Sequence, residues 1–158
     1  MLEFYSMYNE RESYMREAIL EARKAGAAGD VPIGAVIVKG GAIIARGFNM
    51  IEAEGDPTAH AEMIAIREAA KTLGNMRLID CEMYVTTEPC AMCAGACVLA
   101  RLDAVYAGTE SPKSGAAGSV NDILCSPSLN HRVRYEVGIL KEECSALLSD
   151  FFRELREK

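Results

Sequence analysis

The chain has 158 residues, half of them apolar, with 17 basic against 23 acidic side chains, a net charge of −6 and a pI near 5.0. That length fits one domain, residues 1–158, able to bury ~70% of its unfolded surface, and the composition is that of an ordinary globular protein. The acid excess argues against a protein that finds its partner by bulk positive charge, as a basic DNA-coating protein does. The longest uncharged run, Pro89 to Ala100, has twelve residues, well short of the ~20 a membrane helix needs. The opening segment carries acids and no basic region of the kind that begins a signal peptide. The expectation is a cytoplasmic protein with no membrane contact.

In chain order, Asn9 to Ala25 reads as a helix: Asn9 with Glu12 has the form of a capping box, and Met15, Ile19, Ala22 and Ala25 follow at helical spacing. Ile33–Val38 and Ile43–Phe48 are short β-branched runs joined by Lys39-Gly40-Gly41, a hairpin signal. Asp56-Pro57 is expected to open a second helix that stops at Gly74-Asn75. Met83–Thr86 predicts a strand, Cys90–Ala100 a helix of small residues and Ala104–Gly108 another strand. Gly115–Ser119 reads as loop, Val120–Cys125 as a short helix and Arg134–Val137 as a last strand. In the final helix, Cys144, Leu147, Leu148, Phe151, Phe152 and Leu155 line one face. The sum is a mixed α/β domain whose sheet is covered on both faces, with sites expected at the carboxyl ends of strands.

Six cysteines without a secretion signal point to metal or catalysis rather than to disulfides. Cys90 and Cys93 stand three apart at the start of a helix, where they share a face and where the helix terminus favours thiolates. His60 and Glu62 open the other helix. At two residues apart they differ by about 200° around the axis, so they serve one site only if it lies over the helix tip. His60, Cys90 and Cys93 make three ligands, whereas a structural zinc site is closed by four. A catalytic site leaves the fourth place to water, and Glu62 is then free to act as general base. A C-x-x-C pair alone also suits a redox or structural role. Cys97, one turn beyond Cys93, is either a further ligand or a small core residue, and core packing is the preferred reading. Cys81, Cys125 and Cys144 are read as core residues, and His131 as a turn residue, structural or substrate-facing.

H-x-E followed by P-C-x-x-C is the signature of the zinc deaminases of nucleobases. The chain resembles the bacterial tRNA-specific adenosine deaminases through several segments. They are Val31–Val36, Asn49, Asp56–Glu62, Thr87–Ala96, Lys113–Ser119, Asn130–Arg132 and Leu147–Arg153. The resemblance runs from about Tyr14 to Arg156. It implies a cytidine deaminase-like three-layer α/β/α sandwich around a central mixed five-stranded sheet. It implies one Zn²⁺ per subunit, held by His60, Cys90 and Cys93, with zinc-bound hydroxide attacking C6 of adenine while Glu62 shuttles protons. It implies a wobble adenosine of a tRNA anticodon as target and a homodimer whose partner subunit helps complete the active site. Asn49 and Val31 are then candidate contacts of the base, and an Asn side chain offers the donor and acceptor that adenine needs. Lys113 and Arg153 are candidate phosphate contacts and Phe152 a candidate stacking surface. One departure stands out: the family commonly has an Asp two residues before this lysine, where this chain has Ser111.

Two other readings remain open at this level. One is a deaminase of a free base or nucleoside (guanine, cytosine or cytidine) using the same zinc site. The other is a zinc-stabilised RNA-binding module without enzymatic activity, its coordination closed by Cys97 or a carboxylate.

Overall fold

Short runs of β-branched residues pair into one five-stranded sheet, and the helices between them supply its two covering layers. The computed structural model describes all residues, 1–158. In chain order the elements are α1 (Leu2–Ala27), β1 (Gly34–Lys39), β2 (Ala42–Phe48), α2 (Ile51–Glu54) and α3 (Ala61–Leu73). There follow β3 (Cys81–Thr87), α4 (Ala91–Leu99), β4 (Ala104–Thr109), β5 (Arg134–Val137) and α5 (Lys141–Glu157). The sheet order is β2-β1-β3-β4-β5. The pairs β1/β2 and β1/β3 are antiparallel, and β3/β4 and β4/β5 are parallel. This is the mixed five-stranded α/β/α sandwich that the resemblance implies.

The alternation of side chains along each strand sorts the core into two halves. Ala35 and Ile37 of β1, Met83 and Val85 of β3, and Val105 and Ala107 of β4 pack with Ala61, Ala65 and Ala69 of α3 and Ala94 and Cys97 of α4. Val36, Val38, Tyr84, Ala104 and Tyr106 point the other way, against Met15, Ala18 and Ile19 of α1 and Cys144 of α5. The hairpin turns through Gly40 and Gly41, whose φ values of 57° and 79° match the twist of paired strands only in residues that tolerate positive φ.

Three elements differ from the sequence reading. Helix α1 begins at Leu2, so Asn9 lies inside it and caps nothing; Leu2–Tyr8 holds no glycine or proline to stop the helix from extending outward. Asp56-Pro57 opens a turn rather than a helix: the Asp56 carboxylate accepts from the Thr58 N–H at 2.8 Å and the Thr58 hydroxyl at 2.7 Å. Helix α3 starts only at Ala61, with His60 in extended conformation as its cap residue. Val120–Cys125 forms no helix, because its backbone pairs with the preceding loop: the N–H groups of Val120 and Asn121 donate to the Gly115 carbonyl and that of Ile123 to Ala116. In α5 the apolar face is only half covered, with Cys144 buried but Phe152 and Leu155 exposed. Cys81, Cys97 and Cys144 are core residues as expected, whereas Cys125 is exposed and its thiol donates to the Val133 carbonyl at 3.2 Å.

Because β1 runs against β3, the start of β1, the end of β2 and the carboxyl ends of β3 and β4 all meet at one end of the sheet. Val31, Asn49, Glu88 to Cys90 and the loop after Thr109 are therefore delivered to a common place. No helix is long and apolar enough to cross a membrane.

Candidate metal centre and active site

Helices α3 and α4 lie on the same face of the sheet and their N-termini converge. Each presents its cap residue there: His60 before α3 and Cys90 before α4, both extended. Neither cap side chain bonds its own helix, which leaves both free for another partner. Cys93 joins from the first turn of α4. The His60 Nδ1 lies 3.6 Å from the Cys90 Sγ and 3.5 Å from the Cys93 Sγ. A tetrahedral zinc with bonds of about 2.3 Å to sulfur and 2.0–2.1 Å to nitrogen holds such atoms about 3.6 Å apart. The three side chains therefore fit zinc as they stand.

The group of candidate ligands ends at these three residues. Cys97 is fully buried in the core among α4 and the sheet, and burial pushes its thiol pKa up, so it packs rather than ligates. His60 and Cys90 are half-buried and Cys93 is fully buried, so access to the trio is from outside, over the helix tips. His131 lies elsewhere, its Nε2 at 2.7 Å from the Leu102 carbonyl, and has the structural role that the sequence allowed.

The two sulfurs differ. A hydrogen bond from the Cys93 thiol holds the Cys90 thiol at a pKa of about 5, while the same shared proton and burial push Cys93 up. Both sulfurs bind a divalent cation as thiolates, so metal binding displaces the proton that the pair shares. Glu62, the second residue of α3, is 3% exposed. Burial raises its carboxyl pKa to about 7, and the neighbouring Cys90 thiolate adds to the effect. A carboxyl group poised there both takes and gives a proton near neutral pH.

The other expected contacts divide by distance from the trio. Asn49 is buried at the end of β2, and its Oδ1 accepts from the Ala61 N–H at 2.9 Å, satisfying one donor at the start of α3. Its oxygen is committed to the helix, and its NH₂ group is left as the polar handle. Val31 is half-buried, its N–H donating to the Asp30 carboxylate at 2.9 Å. Lys113 is exposed in the loop after β4. Phe152 and Arg153 lie on α5, outside the metal trio. Phe152 is 44% exposed and packs edge-on against Phe151, and Arg153 pairs with Asp150 at 2.9 Å. Phe151 and Pro32 border a common groove, which carries this part of α5 toward the site's end of the sheet.

One residue of the site escaped the sequence reading. Glu88, immediately before Pro89-Cys90, is 3% exposed and receives hydrogen bonds from Ser111, Ala117 and Ser119. Burial acts to raise its pKa, but the Ser119 hydroxyl and the N–H groups of Ala117, Ser119 and Ser111 outweigh it and hold the carboxyl below its usual range. Nearby, the Tyr135 hydroxyl is buried without a partner.

Comparison with known proteins agrees with this geometry. Residues 8–109 match the family described as the cytidine and deoxycytidylate deaminase zinc-binding region. The tRNA-specific adenosine deaminase of Bacillus subtilis is 52% identical over 147 residues, 93% of this chain and 91% of the relative. That of Aquifex aeolicus is 49% identical over 146 residues, 92% of this chain and 96% of the relative. Among solved structures, one from a study of A-to-I editing by tRNA:A34 deaminases superposes with a TM-score of 0.83 at 41% identity, covering 86% of this chain and 99% of that one. A guanine deaminase from Bacillus subtilis superposes with a TM-score of 0.62 at 37% identity, covering 93% and 94%. The chain belongs to the zinc-binding cytidine and deoxycytidylate deaminase family, among its tRNA-specific adenosine deaminases.

Proposed function

We propose that the chain, acting as one deaminase domain, hydrolyses adenosine to inosine and ammonia at the wobble position of a tRNA anticodon. The observation that carries the reading is a buried Glu62 beside a three-ligand group, in a chain about half identical to tRNA-specific adenosine deaminases. His60, Cys90 and Cys93 hold zinc. When bound, the metal supplies a Lewis acid that brings the pKa of water down to about 7.

Glu62 accepts the first proton that water gives up and delivers it to a ring nitrogen of adenine as the water oxygen bonds to C6. It then takes the second proton from that oxygen and delivers it to the amino group, so that the C6–N bond breaks, ammonia leaves and the enzyme returns to its starting state. Burial suits it to both steps, since a carboxyl that titrates near neutral pH is a competent acid as well as a base. The Asn49 amide donates to the base, which must leave its stack to enter the site. Val31 flanks it. Lys113 and Arg153 contact phosphates of the surrounding anticodon loop and Phe152 stacks on one of its bases.

The working form is a homodimer in the cytoplasm, with no DNA or membrane partner. A groove of about 490 Å³ between α3 and α4 supports the dimer: Ile66, Ala70, Met76, Ala96 and Leu99 line it, and Leu99 is 82% exposed.

The test is a substrate panel with a Glu62→Ala control. An anticodon stem-loop bearing adenosine at the wobble position is compared with free guanine, cytosine and adenosine, following ammonia release. The stem-loop is expected to turn over fastest. Glu62→Ala protein is expected to remain folded and zinc-loaded while losing at least about a hundredfold in rate. Faster turnover of a free base overturns the substrate, and undiminished activity in the variant overturns the mechanism.

A further inference from the structure

The Glu88 carboxylate is an acid withdrawn from water with no Lys or Arg beside it. Buried charge is tolerated only when its oxygens are filled by donors, and here every donor comes from one loop. Oε1 accepts from the Ser111 N–H at 3.2 Å and from the Ser119 hydroxyl; Oε2 accepts from the N–H groups of Ala117 at 3.0 Å and Ser119 at 3.1 Å. The backbone repeats the link. The Glu88 N–H donates to the Thr109 carbonyl at 2.8 Å, and the Ala116 N–H donates to the Pro89 carbonyl at 2.8 Å. Gly115 pairs with the metal ligand Cys90 as an isolated antiparallel bridge. A Cβ on Gly115 would fall inside the Glu88 carboxylate, so the fit between loop and acid admits no side chain there.

The loop so held carries Lys113 and lies along the segment that presents Cys90. We propose that Glu88 is a positioning residue, whose carboxylate folds the Glu110–Ser119 loop against the Cys90 segment and so builds one wall of the substrate entrance before RNA arrives. This rests on the RNA-deaminase reading given above for what enters, but the clamp itself is a property of the free protein. Its consequence is preorganisation: a loop already ordered need not be ordered by the substrate, so the benefit falls on substrate capture rather than on the chemical step.

The test uses the zinc-loaded enzyme with Glu88→Ala, Glu88→Gln and Ser119→Ala. It reads amide hydrogen exchange, zinc per subunit, and KM and kcat on the anticodon stem-loop. Glu88→Ala is expected to speed exchange at Ser111, Ala117 and Ser119 while leaving β3 and β4 protected. It keeps its zinc, raises KM by about tenfold or more, and leaves kcat within about threefold. In Glu88→Gln the amide carbonyl still accepts from Ala117 and Ser119 and the Ser119 hydroxyl turns to accept, while the Ser111 N–H loses its acceptor, so KM recovers part of the way from the Ala variant toward the wild type.

The proposal is overturned if Glu88→Ala leaves loop exchange and KM unchanged, if kcat falls more than about threefold while KM does not rise, or if Gln is as damaging as Ala. Should Glu88→Ala fail to fold, Ser119→Ala decides: faster loop exchange with a raised KM supports the clamp, and no change in either overturns it. If the wild-type enzyme deaminates no RNA, the substrate reading fails, while loop exchange and zinc content still decide the clamp.

Discussion

In the proposed reaction Asn49 joins fold to chemistry. Its oxygen caps α3 at the Ala61 N–H, next to the ligand His60, and its NH₂ group is the part left for a base. The two roles separate on substitution. Asn49→Asp keeps the accepting oxygen and removes the donor, so the variant is expected to stay folded and zinc-loaded while kcat/KM falls by about tenfold to a hundredfold, the cost of one unmade buried hydrogen bond. Asn49→Ala loses the cap as well and is expected to cost about 1 kcal/mol of stability besides. Steady-state kinetics and thermal denaturation check both; an Asp variant of full activity shows that the NH₂ group does not contact the base. His60, Glu62, Cys90 and Cys93 were legible from sequence because few residue types bind zinc or move protons, and their spacing at two helix starts is restrictive. Glu88 was not, since an acid before a proline at a strand end looks like any solvated charge. Only the fold, by closing a loop over it, makes it a buried acceptor.

At the scale of elements, the strands and the hairpin were readable because alternation and paired glycines are local signals. Two of the errors fell where a partner outside the segment decides the boundary: Asn49 caps α3 from twelve residues away, and Gly115 captures the backbone of Val120 and Asn121. Helix α4 poses the same question about its outer face. It places a glycine in the middle of nine residues, which costs about 1 kcal/mol against alanine. Yet a Cβ on Gly95 would meet open space within this chain. Beside it, Leu99 stands exposed on the rim of the groove shared with α3, apolar along its floor and bordered by Arg67, Arg77 and Arg101. A second copy packed there accounts for both features, because close approach would exclude the extra carbon and cover the leucine. Leu99→Glu, which touches nothing in the metal centre, is therefore expected to convert the proposed dimer to a monomer in sedimentation velocity, the wild type sedimenting as a dimer, while zinc per subunit is unchanged. A Leu99→Glu protein that sediments like the wild type places the interface elsewhere.

For the whole molecule the question is how a chain of net charge −6 holds a polyanion. The structure narrows the supply of cations further than composition does. Arg11, Arg16, Lys24, Arg46, Arg134, Lys141 and Arg153 are all in ion pairs with acids of the same chain. The segment from residue 130 onward, which includes Phe152 and Arg153, balances six basic against six acidic side chains. Lys113 is the cation that the clamped loop presents without such a pair. Recognition must then rest on a shaped entrance for a few splayed nucleotides, with stacking and hydrogen bonds supplying affinity and few phosphates neutralised. Each phosphate contact on a single strand contributes about −0.7 to the slope of log K against log salt, so two or three contacts give a slope of about −2. The measurement is stem-loop binding by the zinc-loaded Glu62→Ala protein, which does not consume its ligand, over a range of potassium chloride concentrations. A slope steeper than about −5 corresponds to about seven or more phosphate contacts, and it overturns a pocket-based mode of RNA recognition.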